Sequence, residues 1–194
     1  MGKVIFDISM SLDGFISASG MTVDEGMGVG GEVLHDWAFA GDDQDRALLE
    51  RAGASLGAVI GGRRTYDNSI TWWGADGPTG PARIPLFVVS HGTPDEVPAD
   101  GVYTFVGDIR SALDAARTTA GDADIGIMGG ADIARQYLRA GLVDEISIHL
   151  MPVLFGSGTP LFGDGDSLDE HVKLERTEVI STDTATHLRY RVIR

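Results

Sequence analysis

The sequence predicts an α/β protein of three layers around a mixed central sheet, parallel in its middle and closed by an antiparallel C-terminal hairpin. Short, wholly apolar runs such as "GAVIGG" (57–62) and "PLFVVS" (85–90) fit strands covered on both faces. Stretches of helical periodicity separate these runs, as crossovers between parallel strands do. The tail differs. Its runs "VKLERTEVI" and "THLRYRVI" alternate polar and apolar residues around the turn signal "STDT", which is the pattern of a hairpin.

Taken in order, "KVIFDIS" (3–9) predicts the first strand. "GEVLHDWAF" (31–39) and "DQDRALLERAG" (43–53) predict helices, the second with Leu48 and Leu49 near its centre. Strands follow at 57–62 and 85–90. "DIRSALDAARTTA" (108–120) predicts a helix with Asp108 as N-cap, because Ile109, Ala112, Leu113 and Ala116 share one face. A strand at 125–128 and a helix at 130–140 come next. "DEISIHLMP" then alternates Ile146, Ile148 and Leu150 with Ser147 and His149. Glycine is abundant, at 27 of 194 residues, and it clusters at segment ends, so it marks turns. Ser19 to Gly31 and Gly74 to Ala82 are the stretches expected to be most flexible.

A chain of 194 residues suits one domain, 1–194. Fifteen Lys and Arg against 29 Asp and Glu leave a net charge of −14, which disfavours nucleic acid and anionic membrane surfaces as partners. Cysteine is absent, which removes disulfides, thiolate nucleophiles and Cys-based metal sites. The N-terminus lacks the run of a signal peptide, and no segment has the length of a spanning helix. The expectation is a cytoplasmic protein acting on a small molecule, with no metal, since no His, Asp and Glu spacing suggests one.

Three strand ends carry chemistry. In "IMGGADIARQYL" (127–138) a strand ends in Gly129-Gly130 and opens directly into a helix. Such a junction is either a tight turn or a place where backbone and helix N-terminus meet a phosphate. "AVIGGRRTYD" repeats the arrangement, with Gly61-Gly62 followed by Arg63, Arg64 and Thr65. Adjacent arginines in so acidic a chain either ligate phosphate or pair with nearby acids. "FVVSHG" ends a third strand with Ser90 and His91. The carboxyl ends of parallel strands line one crevice, and these residues together suit a phosphorylated dinucleotide. Gly26, Gly28 and Gly31 spell another dinucleotide fingerprint with Glu50 farther on, but "SASGMTVDE" before it is no strand.

These segments resemble, in order, the dihydrofolate reductase superfamily, and more closely the reductase domain of bifunctional riboflavin-biosynthesis deaminase-reductases and their stand-alone relatives. The likeness is carried by "SMSLDGFIS", "VIGGRRTYD", "FVVS", the stretch "IMGGADIARQYLRAGLVDEISIHLMPVLFGSGTPLF" and the closing hairpin. The resemblance implies a dihydrofolate reductase-like fold and NADPH across the strand ends. It implies that Gly62, Arg63, Arg64 and Thr65 contact phosphates, with arginine near the 2′-phosphate, and that Ser90 and His91 hold the adenosine side. It implies that Met128, Gly129 and Gly130, with Ala131, Asp132 and Ile133, cradle the pyrophosphate. It also implies hydride transfer to a pterin-like or ribosylamino-pyrimidine-like molecule, and a homodimer.

The substrate side departs from both relatives. Dihydrofolate reductases hold the pterin with a carboxylate on the first helix, where this chain has Glu32 and Asp36 in a different local pattern. Riboflavin-type reductases often carry glutamate where Met128 stands. Asp13 of "SLDG" matches the riboflavin type and is otherwise an Asp-Gly turn residue. Asp13 and Asp36 are the expected proton-handling residues. His35, His149, Trp72, Trp73 and the loop "LFGSGTPLFG" are secondary candidates for the pocket. A non-catalytic nucleotide-binding module on the same fold, and a dehydrogenase using the Gly26 loop, are the competing readings.

Overall fold

Eight strands lie side by side in one twisted sheet, and five α-helices cover its two faces in a computed structural model that describes residues 2–163, 168 and 170–194. In chain order these are β1 (Val4–Ser11), β2 (Phe15–Ala18), a 3-10 turn (Gly31–His35), α1 (Asp36–Ala40), α2 (Asp43–Ser55) and β3 (Leu56–Gly62). Then come α3 (Arg63–Trp73), β4 (Leu86–Val89), β5 (Tyr103–Val106), α4 (Ile109–Ala120) and β6 (Asp124–Met128). The chain finishes with α5 (Ala131–Arg139), β7 (Glu145–Met151), β8 (Gly158–Pro160), β9 (Lys173–Ser181) and β10 (Thr186–Ile193). The strand order is β5-β4-β3-β6-β1-β7-β10-β9. Every pair from β5 to β7 is parallel, and β10 pairs antiparallel with both β7 and β9.

The expected three-layer, dihydrofolate reductase-like sandwich is what forms. The helix over 31–39 divides in two because His35, at φ −107° and ψ 4°, leaves the α region and the ladder restarts at Asp36. β2 and β8 pair as a separate ribbon, and at four and three residues they are too short to show alternation. The Gly26 loop follows no strand directly and is packed tight instead. A Cβ on Gly26 would lie 2.6 Å from the Asn68 carbonyl oxygen, and one on Gly28, at φ +78°, would lie 2.2 Å from that of Ala18. Those glycines serve close packing, which removes the fingerprint reading of the loop.

One face of the sheet is an ordinary core. Val4, Phe6, Ile60, Ile125 and Ile127 bury against Leu113 and Ala116 of α4 and Tyr137 of α5. Each such side chain contributes about 1.5 to 3 kcal/mol of burial. α4 begins as expected, with the Asp108 side chain accepting from the amides of Arg110 and Ser111.

The opposite face is sparsely filled. α3 closes one end through Tyr66, Ile70 and Trp73, while Leu34 and Trp37 pack with Met151 and Ala185 at the other. Between them α2 spans the sheet with Asp45 as its single buried residue among 13. Asp45 completes a capping box with Asp42, whose amide it accepts at 3.1 Å. Its oxygens also accept from the Thr184 hydroxyl and lie against the His187 ring Nε2, both at 2.7 Å. One carboxylate therefore fastens α2 to β10 and the β9–β10 turn.

The β6–α5 junction needs its glycines for local reasons too. Gly129 and Gly130 have φ of +63° and +80°, and a Cβ on Gly129 would lie 2.6 Å from Thr65 Cγ2. Gly129→Ala should cost about 1 to 3 kcal/mol in a denaturant melt. Adding Thr65→Ser should recover part of that cost, because it removes the colliding methyl. Asp45→Ala takes the acceptor from three partners, of which His187 is buried, and should cost about 3 kcal/mol, read as a midpoint lowered by roughly 6 to 12 °C in a thermal melt. Burial pushes the Asp45 carboxyl up, but Thr184, His187 and the Asp42 amide outweigh it, so its pKa sits below the ordinary 3.8. The stabilisation is thus present above 3.8 and is lost as pH falls through the lower folded value, where the gap between wild type and variant should narrow.

Candidate active site

The sparse face holds a cavity of about 590 Å³ between the sheet and α2, reaching the carboxyl ends of β3 and β6. Its walls are built by strand alternation. Ile5, Asp7 and Ser9 of β1 point into it, while Val4 and Phe6 point into the α4–α5 core. Ser147 and His149 of β7, with His187 and Arg189 of β10, share its floor, since His187 stands opposite His149 and Arg189 opposite Ser147. Met21, Met27, Phe39 and Trp73 supply much of the apolar remainder.

A chain of ionisable side chains runs along this floor. The Asp7 carboxylate oxygens lie 3.3 Å from His149 Nε2, and His149 Nδ1 is 2.7 Å from His187 Nδ1. His187 Nε2 reaches Asp45 Oδ1 at 2.7 Å. Trp37 seals the middle: its ring stacks on His149 with centroids 3.9 Å apart, and its indole N–H donates to Ser9 Oγ at 2.9 Å. His149 and His187 are buried, whereas the Asp7 side chain is 43% exposed and opens to the cavity. Burial pushes the Asp7 carboxyl up, but His149, Ser147 and Arg189 outweigh it and hold its pKa below the ordinary value. Burial pushes the His187 imidazole down against the pull of Asp45. Burial likewise lowers His35, which also lines the cavity.

The strand-end crevice adjoins this floor. Arg64, Thr65, Met128, Gly129 and Gly130 line the cavity. Gly62, Ser90 and Met128 end or follow the neighbouring strands β3, β4 and β6, with Gly62 paired to Val89. α3 and α5 start at this edge with Gly62 and Gly130 as N-caps and no side-chain cap, whereas α2 and α4 are each capped by an aspartate. Their first-turn amides and dipoles therefore face the crevice without a competing carboxylate cap. The two arginines separate in role. Arg63 is a strut, bonded to both oxygens of Asp67 and to the Gly92 carbonyl at 2.9 Å, whereas Arg64 is exposed and pairs with no acid among the described residues.

Several expected residues stand elsewhere. Ala131 and Ile133 are buried behind the glycine pair, Asp132 is exposed and accepts from Gln136, and His91 is exposed outside the lining. Ser90 Oγ bonds the Gly92 carbonyl at 2.6 Å. Asp13 does not open into the cavity. Its carboxylate accepts from the Ser11 hydroxyl and the amides of Phe155 and Gly156, clipping the β1–β2 turn to the 153–157 loop. The Ser11 bond above all holds its pKa below the ordinary value. Asp36 is exposed at the start of α1 and lies outside the lining. The ionisable pair that does line the cavity is Asp7 and His149. Asp7 was legible only as an acid inside an apolar run, and the partner that gives it meaning is 142 residues away. Trp73 lines the cavity, while Trp72 is 75% exposed.

Known proteins resemble this chain in sequence and fold. The uncharacterized protein YwjB of Bacillus subtilis is 28% identical over 160 residues, covering 82% of each chain. A solved structure from Shewanella sp. PV-4, of a protein assigned to riboflavin biosynthesis, superposes with a TM-score of 0.70 at 26% identity over 99% of both chains. Dihydrofolate reductase from Enterococcus faecalis, solved with NADP(H), shares the fold at a TM-score of 0.63 and 13% identity, over 100% of this chain and 98% of that one. The family model of the RibD C-terminal domain matches residues 2–186. Nearly the whole chain is thus accounted for, and the protein belongs to the RibD C-terminal domain family.

Proposed function

We propose that the protein is an NADPH-dependent reductase that delivers hydride to a small planar molecule of the pterin or ribosylamino-pyrimidine kind. The observation that carries this reading is the pair of uncapped helix starts, α3 and α5, meeting at Thr65 and Gly129 beside the unpaired Arg64. Two helix N-termini and one free guanidinium suit a ligand with several phosphates. The cavity they adjoin has a volume typical of small-molecule sites and largely apolar walls. Membership of a riboflavin-pathway reductase family and the NADP(H) held by the Enterococcus enzyme support the same assignment.

NADPH would supply hydride from its dihydronicotinamide ring when bound. Gly129, Gly130 and the first turn of α5 would hold the pyrophosphate, and Arg64 the 2′-phosphate. The apolar walls would hold the two flat rings face to face and exclude water. We include in the proposal the homodimer that the resemblance implies. β9 leaves an outer sheet edge of nine residues with Leu174 and Val179 exposed, and a single-chain mass by light scattering would remove that part.

Titration of the protein with NADPH and NADH, followed by quenching of tryptophan fluorescence, tests the reading. NADPH should bind with a clear preference, and absence of binding by either would refute it. Arg64→Gln should weaken NADPH by about 10-fold, the loss expected for one charged hydrogen bond, and leave NADH nearly unchanged. Arg63→Gln should show mainly as lost stability.

A further inference from the structure

As two carboxylates and two neutral imidazoles, the four side chains on the cavity floor bring one proton fewer than their contacts number. Three contacts link them in series: Asp7 to His149, His149 to His187, and His187 to Asp45. Each contact joins two lone-pair atoms and needs one proton between them. Two neutral imidazoles bring only two. Two protons fill only two of the three contacts. If His149 donates to His187 and His187 to Asp45, the bare His149 Nε2 faces the Asp7 carboxylate at 3.3 Å. If His149 donates to Asp7 and His187 to His149, the bare His187 Nε2 faces the buried Asp45 oxygen at 2.7 Å. A third proton resolves the conflict, and both carboxyls are held below their ordinary pKa by their surroundings. That leaves the ring pair as the place for a third proton, as one imidazolium shared between two imidazoles.

We propose that the His149–His187 pair stores one proton beyond its two neutral rings, and that Asp7 passes it to the molecule reduced in the cavity. The acceptor's identity rests on the reductase reading: a C=N nitrogen or a C=O oxygen. The geometry gives the relay a direction. The Asp45 end is dry and short, with Thr184 and the Asp42 amide filling the other oxygen. The Asp7 end is the longer contact and opens to the cavity. Around the pair stand Trp37 from α1, His35 from the 3-10 turn with Glu32 and Asp36 nearby, Ser147 on β7, Arg189 on β10 and Thr182 at the β9–β10 turn. Burial of His187, with Arg189 and His35, opposes a positive charge on the rings, and the carboxylates of Asp7 and Asp45 at the two ends favour it.

The step balances. Hydride adds to the carbon of the C=N or C=O bond, whose electron pair moves to the heteroatom. The heteroatom takes a proton through Asp7, as the His149 Nε2–H bond breaks toward the Asp7 carboxylate. The substrate gains two electrons and two hydrogens, the nicotinamide is oxidised, and the pair is left as two neutral rings. Two protons then serve three contacts, so the chain regains one from water through the cavity before the next turnover. Asp7 is the catalytic residue in this scheme, while His187 and Asp45 are positioning residues.

The storage claim is read without cofactor or substrate. Nitrogen-15 histidine spectra of the apo protein at neutral pH should show three N–H protons on the His149 and His187 rings, with Asp45→Asn reducing the count to two. Two protons in the wild type would overturn the proposal whatever the activity. The delivery claim is read with dihydrofolate and a ribosylamino-uracil as probes. Asp7→Asn should lower kcat at least about 100-fold with NADPH affinity unchanged, Asp7→Glu should restore part of it, and His187→Gln should reshape the pH profile of kcat more than KM. Full turnover by Asp7→Asn would also overturn the proposal. Failure of the reductase reading looks different: NADPH does not bind, and the ring-proton count stays at three.

Discussion

The cavity side of this protein depends on one buried carboxylate. α2 buries only Asp45 fully, and its place over the sheet is set by Asp45 accepting from Thr184 and facing the His187 ring, with Leu48 packed against the Leu34 and Trp37 cluster. A buried charge is tolerable only when its lone pairs are filled, and here three partners, from the α2 N-cap, the β9–β10 turn and β10, converge on it. That requirement fixes His187, which fixes His149 across the β7–β10 ladder, which in turn fixes the edge of Asp7 facing the cavity. Trp37 covers the middle of the series and keeps water from it. The space between this helix and the sheet is the cavity.

The same strands serve two chemistries because their side chains alternate. On β1, Val4 and Phe6 complete the α4–α5 core, while Ile5, Asp7 and Ser9 belong to the cavity. The core face provides rigidity through tight apolar contact. The open face gives up that burial, and its cost is offset by the well-packed layer behind it. The parallel middle of the sheet contributes something the antiparallel end cannot. Its strand ends all point to one edge, where α3 and α5 begin, so glycine pairs and helix N-termini collect beside the cavity.

Local chemistry explains why some site residues were readable and others were not. The Gly62–Thr65 and Met128–Gly130 junctions stood out because a strand, two small residues and a helix follow each other within a few positions. Even there, sequence could not divide the labour. Arg63 and Arg64 are adjacent and alike, yet Asp67 one turn along and the Gly92 carbonyl take the first and leave the second open. Asp13 carried the familiar "SLDG" context, but its oxygens are spent on the amides of a loop some 140 residues later in the chain. Asp36 lay on the expected helix, and the turn from 3-10 to α geometry at His35 leaves it in solvent while Trp37 goes inside.

By itself the sequence determined the layering, the parallel middle, the C-terminal hairpin and the glycine-pair junctions, because periodicity, caps and turns are written in neighbouring residues. Only the tertiary structure decided which ionisable groups meet. Asp7, Asp45, His149 and His187 come from three strands and a helix, and three of the four look like ordinary polar residues within strand-like runs. Their association rests on strand register and on where α2 is fastened, and both are set by contacts between residues far apart in the chain. Pairwise distance, unlike periodicity, leaves no mark in the order of amino acids.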